Sequence, residues 1–338
     1  MEIVVGSICE ALAHHRHKPL PYRLIPTNTK RKDIAMKEIR FDGRVAVVTG
    51  AGNGLGRSHA LFLASRGAKV VVNDLGGTVA GTGGSRSVAD AVVNEIKVAG
   101  GQAVANYDSV ATEEGGRNII KTALDAFGTV DILINNAGTV RDKTLAKMDL
   151  ADFRALIDVH LMGAVYCSHA AWPTMRDKNF GRIVMTSSAA GLYGNHGHTN
   201  YGAAKMSLIG FMNALKEEGR KHNITVHAIA PMALTRMTEA ITSPKIAQLL
   251  KPEFVTAAVA WFCAPENEET GHIIEAGAGY YAKVEVRESQ GVLFGTDTVP
   301  TPEQIRDRYG EICDMSQAAP YANTSELMRR VFRLVAPK

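Results

Sequence analysis

Val45-Ala46-Val47-Val48-Thr49-Gly50-Ala51-Gly52-Asn53-Gly54-Leu55-Gly56 is the stretch that decides the fold. Its first five residues form a short, unbroken apolar run, the pattern of a strand covered on both faces. Glycines follow at once, and a helical pattern runs from Leu55 to Arg66. A strand that turns into a helix through glycines lets the backbone approach a pyrophosphate and aims the first N–H groups of the helix at it. The spacing departs from the common G-x-G-x-x-G: counting from Gly52 the third position is Arg57, and counting from Gly50 it is Leu55. The pattern that fits is T-G-x-x-x-G-x-G, with Gly50, Gly54 and Gly56, and with Asn53 and Leu55 in the same turn.

Outward from this turn, β-rich apolar runs alternate with helical patterns. Strands are expected at Val70–Val72, Ala103–Tyr107, Val130–Ile134, Arg182–Met185, Ile224–Ile229 and Gly271–Glu275. Helices are expected between them, including a long one over Leu150–Arg176 and another over Tyr201–Lys221. Repeated β-α-β units with short connections predict an α/β fold with a doubly wound, Rossmann-like parallel sheet. Asp74 ends the second strand at about the 20-residue distance where an acid bonds the adenosine ribose. A carboxylate there repels a 2′-phosphate, so NAD is favoured over NADP. Asp108, Ser109 and Val110 follow the third strand and are expected at the adenine. Asn135, Ala137 and Gly138 follow the fourth, where asparagine and glycine are also ordinary loop residues.

The chemistry is expected at Tyr201 and Lys205, with Ser188 upstream just after a strand. A four-residue spacing puts Tyr201 and Lys205 on one helix face. The ammonium is expected to draw the phenol down from about 10 toward the working pH. A tyrosine so tuned exchanges a proton with an alcohol or carbonyl oxygen, and Ser188 bonds that oxygen as its charge changes. Tyr201 and Lys205 would also contact the cofactor, which carries the hydride.

Bulk properties narrow the remaining classes. The chain has 338 residues, 46% hydrophobic and 21% charged, enough for a sizeable core. A formal charge of +4 supplies no basic stripe for nucleic acid. No apolar run is long enough to span a membrane. The cysteines Cys9, Cys167, Cys263 and Cys313 form no CxxC pair, which argues against a zinc site or a disulfide framework. His196 and His198 lack a nearby third ligand, so no metal is expected and both read as loop histidines. A reducing, cytoplasmic setting is expected, since Ala336-Pro337-Lys338 is not an SKL-type address. Residues 1–35 carry three lysines, three arginines and three acids without periodicity, and read as a disordered tail or a start assigned too early. Residues 36–280 are expected as the nucleotide-binding domain, and 281–338 as an extension packing on it, with a helix starting at Thr301-Pro302-Glu303.

Taken together, Gly50, Gly54, Gly56, Asn135–Gly138, Ser188, Tyr201 and Lys205 resemble the signature of the short-chain dehydrogenase/reductase family over roughly Phe41 to Gly279. That resemblance implies about seven sheet strands and a homodimer or homotetramer. Val71-Val-Asn-Asp-Leu-Gly-Gly77, Ala105-Asn-Tyr-Asp-Ser-Val110, Val159-His-Leu161, Arg236-Met-Thr238, Ala276-Gly-Ala-Gly-Tyr280 and Thr301-Pro-Glu…Ile312-Cys-Asp314 narrow it. These are similar to the dehydrogenase unit of peroxisomal multifunctional enzymes of type 2. The likeness implies NAD-dependent oxidation of (3R)-3-hydroxyacyl-CoA, with 17β-hydroxysteroid oxidation as the alternative and a non-catalytic nucleotide-binding scaffold as the rival of another class. It also implies Ala233 and Thr235 near the nicotinamide. The family usually has Asn where this chain has His160, which leaves His160 open between a helper of the site and a packed helix residue. The apolar stretch from Thr238 to Pro252 is open between covering a fatty or steroid substrate and core packing.

Overall fold

The structure is a computed structural model that describes residues 37–78, 80–81, 83–233 and 244–335. Residues 1–36, Thr235 and the Arg236–Thr238 motif lie outside them, as does part of the Thr238–Pro252 stretch.

The first half alternates β1 (Val45–Thr49), α1 (Gly54–Ser65), β2 (Lys69–Asn73), α2 (Arg86–Val98), β3 (Gln102–Asn106), α3 (Glu113–Phe127) and β4 (Ile132–Asn135). Then come α4 (Leu150–Ile157), α5 (Gly163–Asp177), β5 (Gly181–Thr186), α6 (Ala189–Tyr193), α7 (Thr199–Gly219) and β6 (Ile224–Pro231). The chain continues through α8 (Pro244–Ala247), α9 (Pro252–Cys263), β7 (Ile273–Gly277) and β8 (Tyr280–Val284). The extension carries α10 (Pro302–Asp307), α11 (Tyr309–Ile312) and α12 (Thr324–Val335). Thr301 caps α10 with a reciprocal capping box through Gln304, so the proline-led start read from sequence is present.

The strands form one sheet in the order β3-β2-β1-β4-β5-β6-β7-β8. All neighbouring pairs are parallel except β7 and β8, which are antiparallel. The order reverses between β1 and β4, the position where α/β sheets open a crevice for ligands. The sheet has eight strands rather than about seven. The extra one, β8, follows Ala278 and Gly279, both at positive φ, which turn the chain back on β7.

Helices cover both faces, giving two cores. One packs β-strand residues such as Val48, Val70 and Val72 against α1, α2 and α9; the other packs Val47, Leu133 and Ile183 against α3, α5 and α7. This double burial explains why β1 reads as a continuous apolar run rather than an alternating one. The single long helix expected over Leu150–Arg176 is two helices joined by a π-helical turn at Asp158–Met162. Apolar periodicity persists through a one-residue insertion, which is why sequence reading ran the two together.

Buried charge is handled by local partners. Arg182, fully buried on β5, donates to the carbonyls of Gly181, Asn223, Ala264 and Pro265 and lies over the Phe180 ring. Two buried histidines are held neutral. His59 of α1 bonds Thr256 of α9 through Nδ1, and His227 of β6 stacks on Phe262 with ring centres 4.1 Å apart. Burial pushes each imidazole down to about 3.

Unfolded histidine titrates near 6.5, so above that pH both states are neutral and these residues impose no pH dependence. As pH falls from 6.5 toward 3, the unfolded chain takes up protons that the folded chain refuses. Stability should therefore fall by about 1.4 kcal/mol per pH unit for each histidine. Urea midpoints measured from about pH 7 to about pH 5 check this, and His227→Phe should flatten the slope. An unchanged midpoint across that range would refute it.

Candidate active site

The carboxyl ends of β1 to β6 open into one cleft of about 980 Å³. At its first end, Thr49 Oγ1 accepts hydrogen bonds from the N–H groups of Asn136 and Ala137, both at 3.0 Å. Asn136 Nδ2 donates in return to the carbonyls of Thr49 at 2.9 Å and Gly50 at 3.0 Å. Gly50 has φ +63°, and a Cβ on it would meet Ala137 Cα at 2.8 Å. The Gly52 N–H donates to one carboxylate oxygen of Asp74 at 2.8 Å, and the Gly76 N–H donates to the other at 2.7 Å. The first turn of α1 has no side-chain cap from Asn53 and no acid. That arrangement suits an anionic ligand at the helix start.

Gly50, Asn53, Gly54, Leu55, Asp74, Asp108, Ser109, Val110, Ala137, Gly138 and Ala233 all line the cleft, as do Ser188, Tyr201 and Lys205. Two expected residues do not. Gly56 lies under the turn, where a Cβ would come within 2.3 Å of the Gly50 carbonyl oxygen, so it sets how closely α1 packs. Asn135 is buried at the end of β4, with Nδ2 3.3 Å from Ser168 Oγ. The glycine cradle, the uncapped helix start and the acid at the end of β2 fit a dinucleotide.

At the other end of the cleft, Ser188 caps α6, accepting from the Ala190 N–H at 3.2 Å. Tyr201 and Lys205 share a face of the first two turns of α7. Lys205 Nζ lies 5.5 Å from the Tyr201 ring centre and donates to the Thr186 carbonyl at 2.6 Å. Burial pushes the Tyr201 phenol up to about 12, opposed by its hydrogen bond with Ser188 and reinforced by Asp142. Burial pushes Lys205 down to about 7. The expected lowering of the phenol by the ammonium is thus corrected: desolvation is the largest influence on both groups. At neutral pH the member of the pair that readily gives up its proton is Lys205.

Two imidazoles flank the phenol. His160 sits in the π-helical turn with Nε2 2.8 Å from the Thr139 carbonyl oxygen, and meets the Tyr201 ring edge-on at 5.5 Å. Burial first, and then the Lys205 charge, hold it well below the usual histidine range. His160 is therefore a packed, neutral residue that also bears on the Tyr201 ring. His198 meets the same ring edge-on at 5.9 Å, and its Nε2 lies 3.5 Å from Asp142 Oδ2.

Sequence reasoning missed His198, Asp142, Asn136 and Thr186. His198 stands at the N-cap position of α7, without a side-chain capping bond, three residues before Tyr201, a spacing that puts both on one side of the helix and was readable in principle. Asn136 lay inside the Asn135–Gly138 motif, but its clamp on Thr49 and Gly50 depends on strand order. Asp142 and Thr186 act through contacts that only the folded chain creates.

A family model described as short chain dehydrogenase matches residues 44–245. The chain is 48% identical over 282 residues to the peroxisomal multifunctional enzyme type 2 of Mus musculus, covering 83% of this chain and 38% of that one. The solved full-length peroxisomal multifunctional enzyme type 2 of Drosophila melanogaster superposes with TM-score 0.75 at 38% identity, covering 88% of this chain and 50% of that one. A 7α-hydroxysteroid dehydrogenase solved with NADH and 7-oxo glycochenodeoxycholic acid superposes with TM-score 0.65 at 29% identity, covering 71% and 95%. The chain thus spans half or less of the length of both multifunctional enzymes. Several relatives are named as peroxisomal enzymes, which overturns the expectation of a cytoplasmic setting drawn from the cysteines and the C-terminal residues.

Asn136→Ala removes both donors that clamp the first turn and leaves two carbonyls short of partners. It should cost about 1–3 kcal/mol of stability and weaken dinucleotide binding. Thermal unfolding and titration with NADH fluorescence read the two effects. Unchanged binding would show that the turn holds without the clamp.

Proposed function

The chain belongs to the short-chain dehydrogenase family, oxidoreductases with a nicotinamide dinucleotide cofactor, and from that premise we propose that it oxidises (3R)-3-hydroxyacyl-CoA to 3-oxoacyl-CoA with NAD. The observation that carries the reading is a single cleft with the glycine turn and Asp74 at one end and Ser188, Tyr201 and Lys205 at the other. The substrate class is supported by the names of relatives nearly half identical to this chain.

Gly50, Asn53, Gly54 and Leu55 would hold the pyrophosphate at the start of α1, and Asp74 the adenosine ribose. Asp108, Ser109 and Val110 would lie at the adenine, and Ala137, Gly138, Ala233 and Thr235 toward the nicotinamide. When bound, the nicotinamide supplies a hydride acceptor and, oxidised, a positive charge. Tyr201 takes the hydroxyl proton of the alcohol as its own phenol proton passes to uncharged Lys205, and Ser188 donates a hydrogen bond to the same oxygen. Lys205, tethered to the Thr186 carbonyl, passes charge to and from the phenol. The Asp74 carboxylate, fixed by two backbone N–H groups, disfavours the 2′-phosphate of NADP.

A 17β-hydroxysteroid substrate is the second reading, supported by the likeness to a hydroxysteroid dehydrogenase. A non-catalytic scaffold is disfavoured by the complete Ser188, Tyr201 and Lys205 set in the cleft. A homodimer or homotetramer is supported by α12, which exposes Phe332 at 58% and Leu334 at 53% in the single chain. Turnover of chiral 3-hydroxyacyl-CoAs set against 17β-hydroxysteroids decides the substrate. Activity on the steroid alone would sink the leading reading.

Tyr201→Phe should keep NAD binding and lose most of kcat; unchanged turnover would refute its role. Once Lys205 loses its proton near 7, the Tyr201–Lys205 pair is one proton short and can accept one from the alcohol. Alcohol oxidation should therefore rise as pH rises through about 7, and ketone reduction should fall. Flat kcat/KM profiles in both directions across about pH 6 to 8 would remove Lys205 from the proton path. Asp74→Ala should narrow the preference for NAD over NADP. An undiminished ratio of the two kcat/KM values would assign that preference to another residue.

A further inference from the structure

The helix that carries Tyr201 starts without an ordinary cap. The first N–H groups of α7 lack partners within the helix, and the His198 side chain bonds none of them. One of these groups belongs to Tyr201, and it donates to Asn200 Oδ1 at 2.8 Å. The other end of the same amide reaches out of the helix, where Asn200 Nδ2 donates to the Arg141 carbonyl at 2.9 Å. Asn200 is fully buried, with both polar atoms of its side chain spent on these two bonds. Arg141 is itself held from two sides. Its guanidinium donates to Asp152 of α4 at 2.9 Å through Nη1 and to the Ala80 carbonyl, after β2, at 3.1 Å through Nε. Beside it, Gly81 packs on Thr139, whose carbonyl oxygen lies 2.8 Å from His160 Nε2. Gly81, Thr139 and Arg141 line the same cleft as Tyr201. The backbone behind the phenol is therefore tied to a segment that α4 and the loop after β2 hold in place. Capping alone does not require this, since a serine or threonine at the N-cap position would satisfy the helix start.

We propose that Asn200 is a positioning residue for the reaction: by tying the Tyr201 backbone to Arg141 it fixes the reach of the phenol toward Ser188 and the reacting oxygen. Arg141 is the anchor of the tie. Asn200 acts through Tyr201, being buried and outside the cleft lining. This rests on the proton transfer at Tyr201 proposed above and is independent of whether the alcohol is a thioester or a steroid. A reacting group displaced by about an ångström costs about a hundredfold in rate, the scale on which such a tie matters.

The test uses the full chain with NAD and whichever alcohol, thioester or steroid, the unaltered enzyme oxidises faster. Asn200→Ala should lower kcat by about tenfold to a hundredfold, while NADH affinity, read by fluorescence titration, changes by less than about twofold. The pH midpoint of oxidation should stay in place, because Lys205 is untouched. Arg141→Met, which loosens the anchor and leaves the Asn200 amide intact, should also lower kcat. The double variant should be no slower than Asn200→Ala alone, since both changes act on one tie. Equal kcat in the unaltered enzyme and Asn200→Ala overturns the proposal. So does a fall in kcat matched by lost NADH binding in Asn200→Ala, which marks a general loosening, and so do losses that multiply in the double variant. If Asn200→Ala does not fold, Arg141→Met decides alone, and an unchanged kcat overturns the proposal. If the unaltered enzyme oxidises no alcohol, or Tyr201→Phe turns over normally, the reading of Tyr201 fails and this proposal falls with it.

Discussion

The site depends on how three parallel strands end. β1, β2 and β4 stop side by side, and their terminal residues tie one another down: Asn136 clamps the carbonyls of Thr49 and Gly50, Thr49 returns the favour to two N–H groups, and Asp74 takes the Gly52 N–H. Each tie satisfies a backbone group that would otherwise stand unpaired where the ladder stops. The glycines are required by the closeness of that arrangement, since a Cβ at Gly50 or Gly56 would strike backbone. Ligand recognition at this end is thus a by-product of solving a strand-termination problem.

At the other end, burial is the dominant force. Lys205 is 4% exposed and His160 3%, and the cost of charge in such surroundings sets the proton affinities on both sides of Tyr201. The polypeptide alone holds the phenol protonated and leaves the lysine easily discharged. Proton traffic therefore runs through the pair, with Lys205 the member that discharges near 7.

Much of this was legible in the chain before folding was considered. β1 announced itself because both its faces are covered, and the glycine turn because glycine is the only residue its geometry admits. Tyr201, Lys205 and Ser188 could be placed from helix periodicity and from their position after a strand. What stayed hidden arises from adjacency across the sheet. Thr186 matters because β5 delivers its carbonyl under α7; Asp142 matters because the loop after β4 meets the cap of α7. β8 was obscured because its turn uses Ala278 at positive φ, where a non-glycine residue gives little warning. The direction of the Tyr201 shift was misjudged because a nearby ammonium is visible in a sequence and desolvation is not.

The π-helical turn at Asp158–Met162 carries its own consequence. It places one residue more between α4 and α5 than a regular helix would need, so the two helices keep their packed faces while His160 is brought to Thr139 and Tyr201. Shortening the chain by that one residue would be the gentlest edit on paper, since it yields an unbroken helix with better hydrogen bonds. It would also remove the wide turn that carries the imidazole to the phenol. The irregularity is a phase shifter, by which one side chain reaches the chemistry without disturbing the packing of its flanking helices.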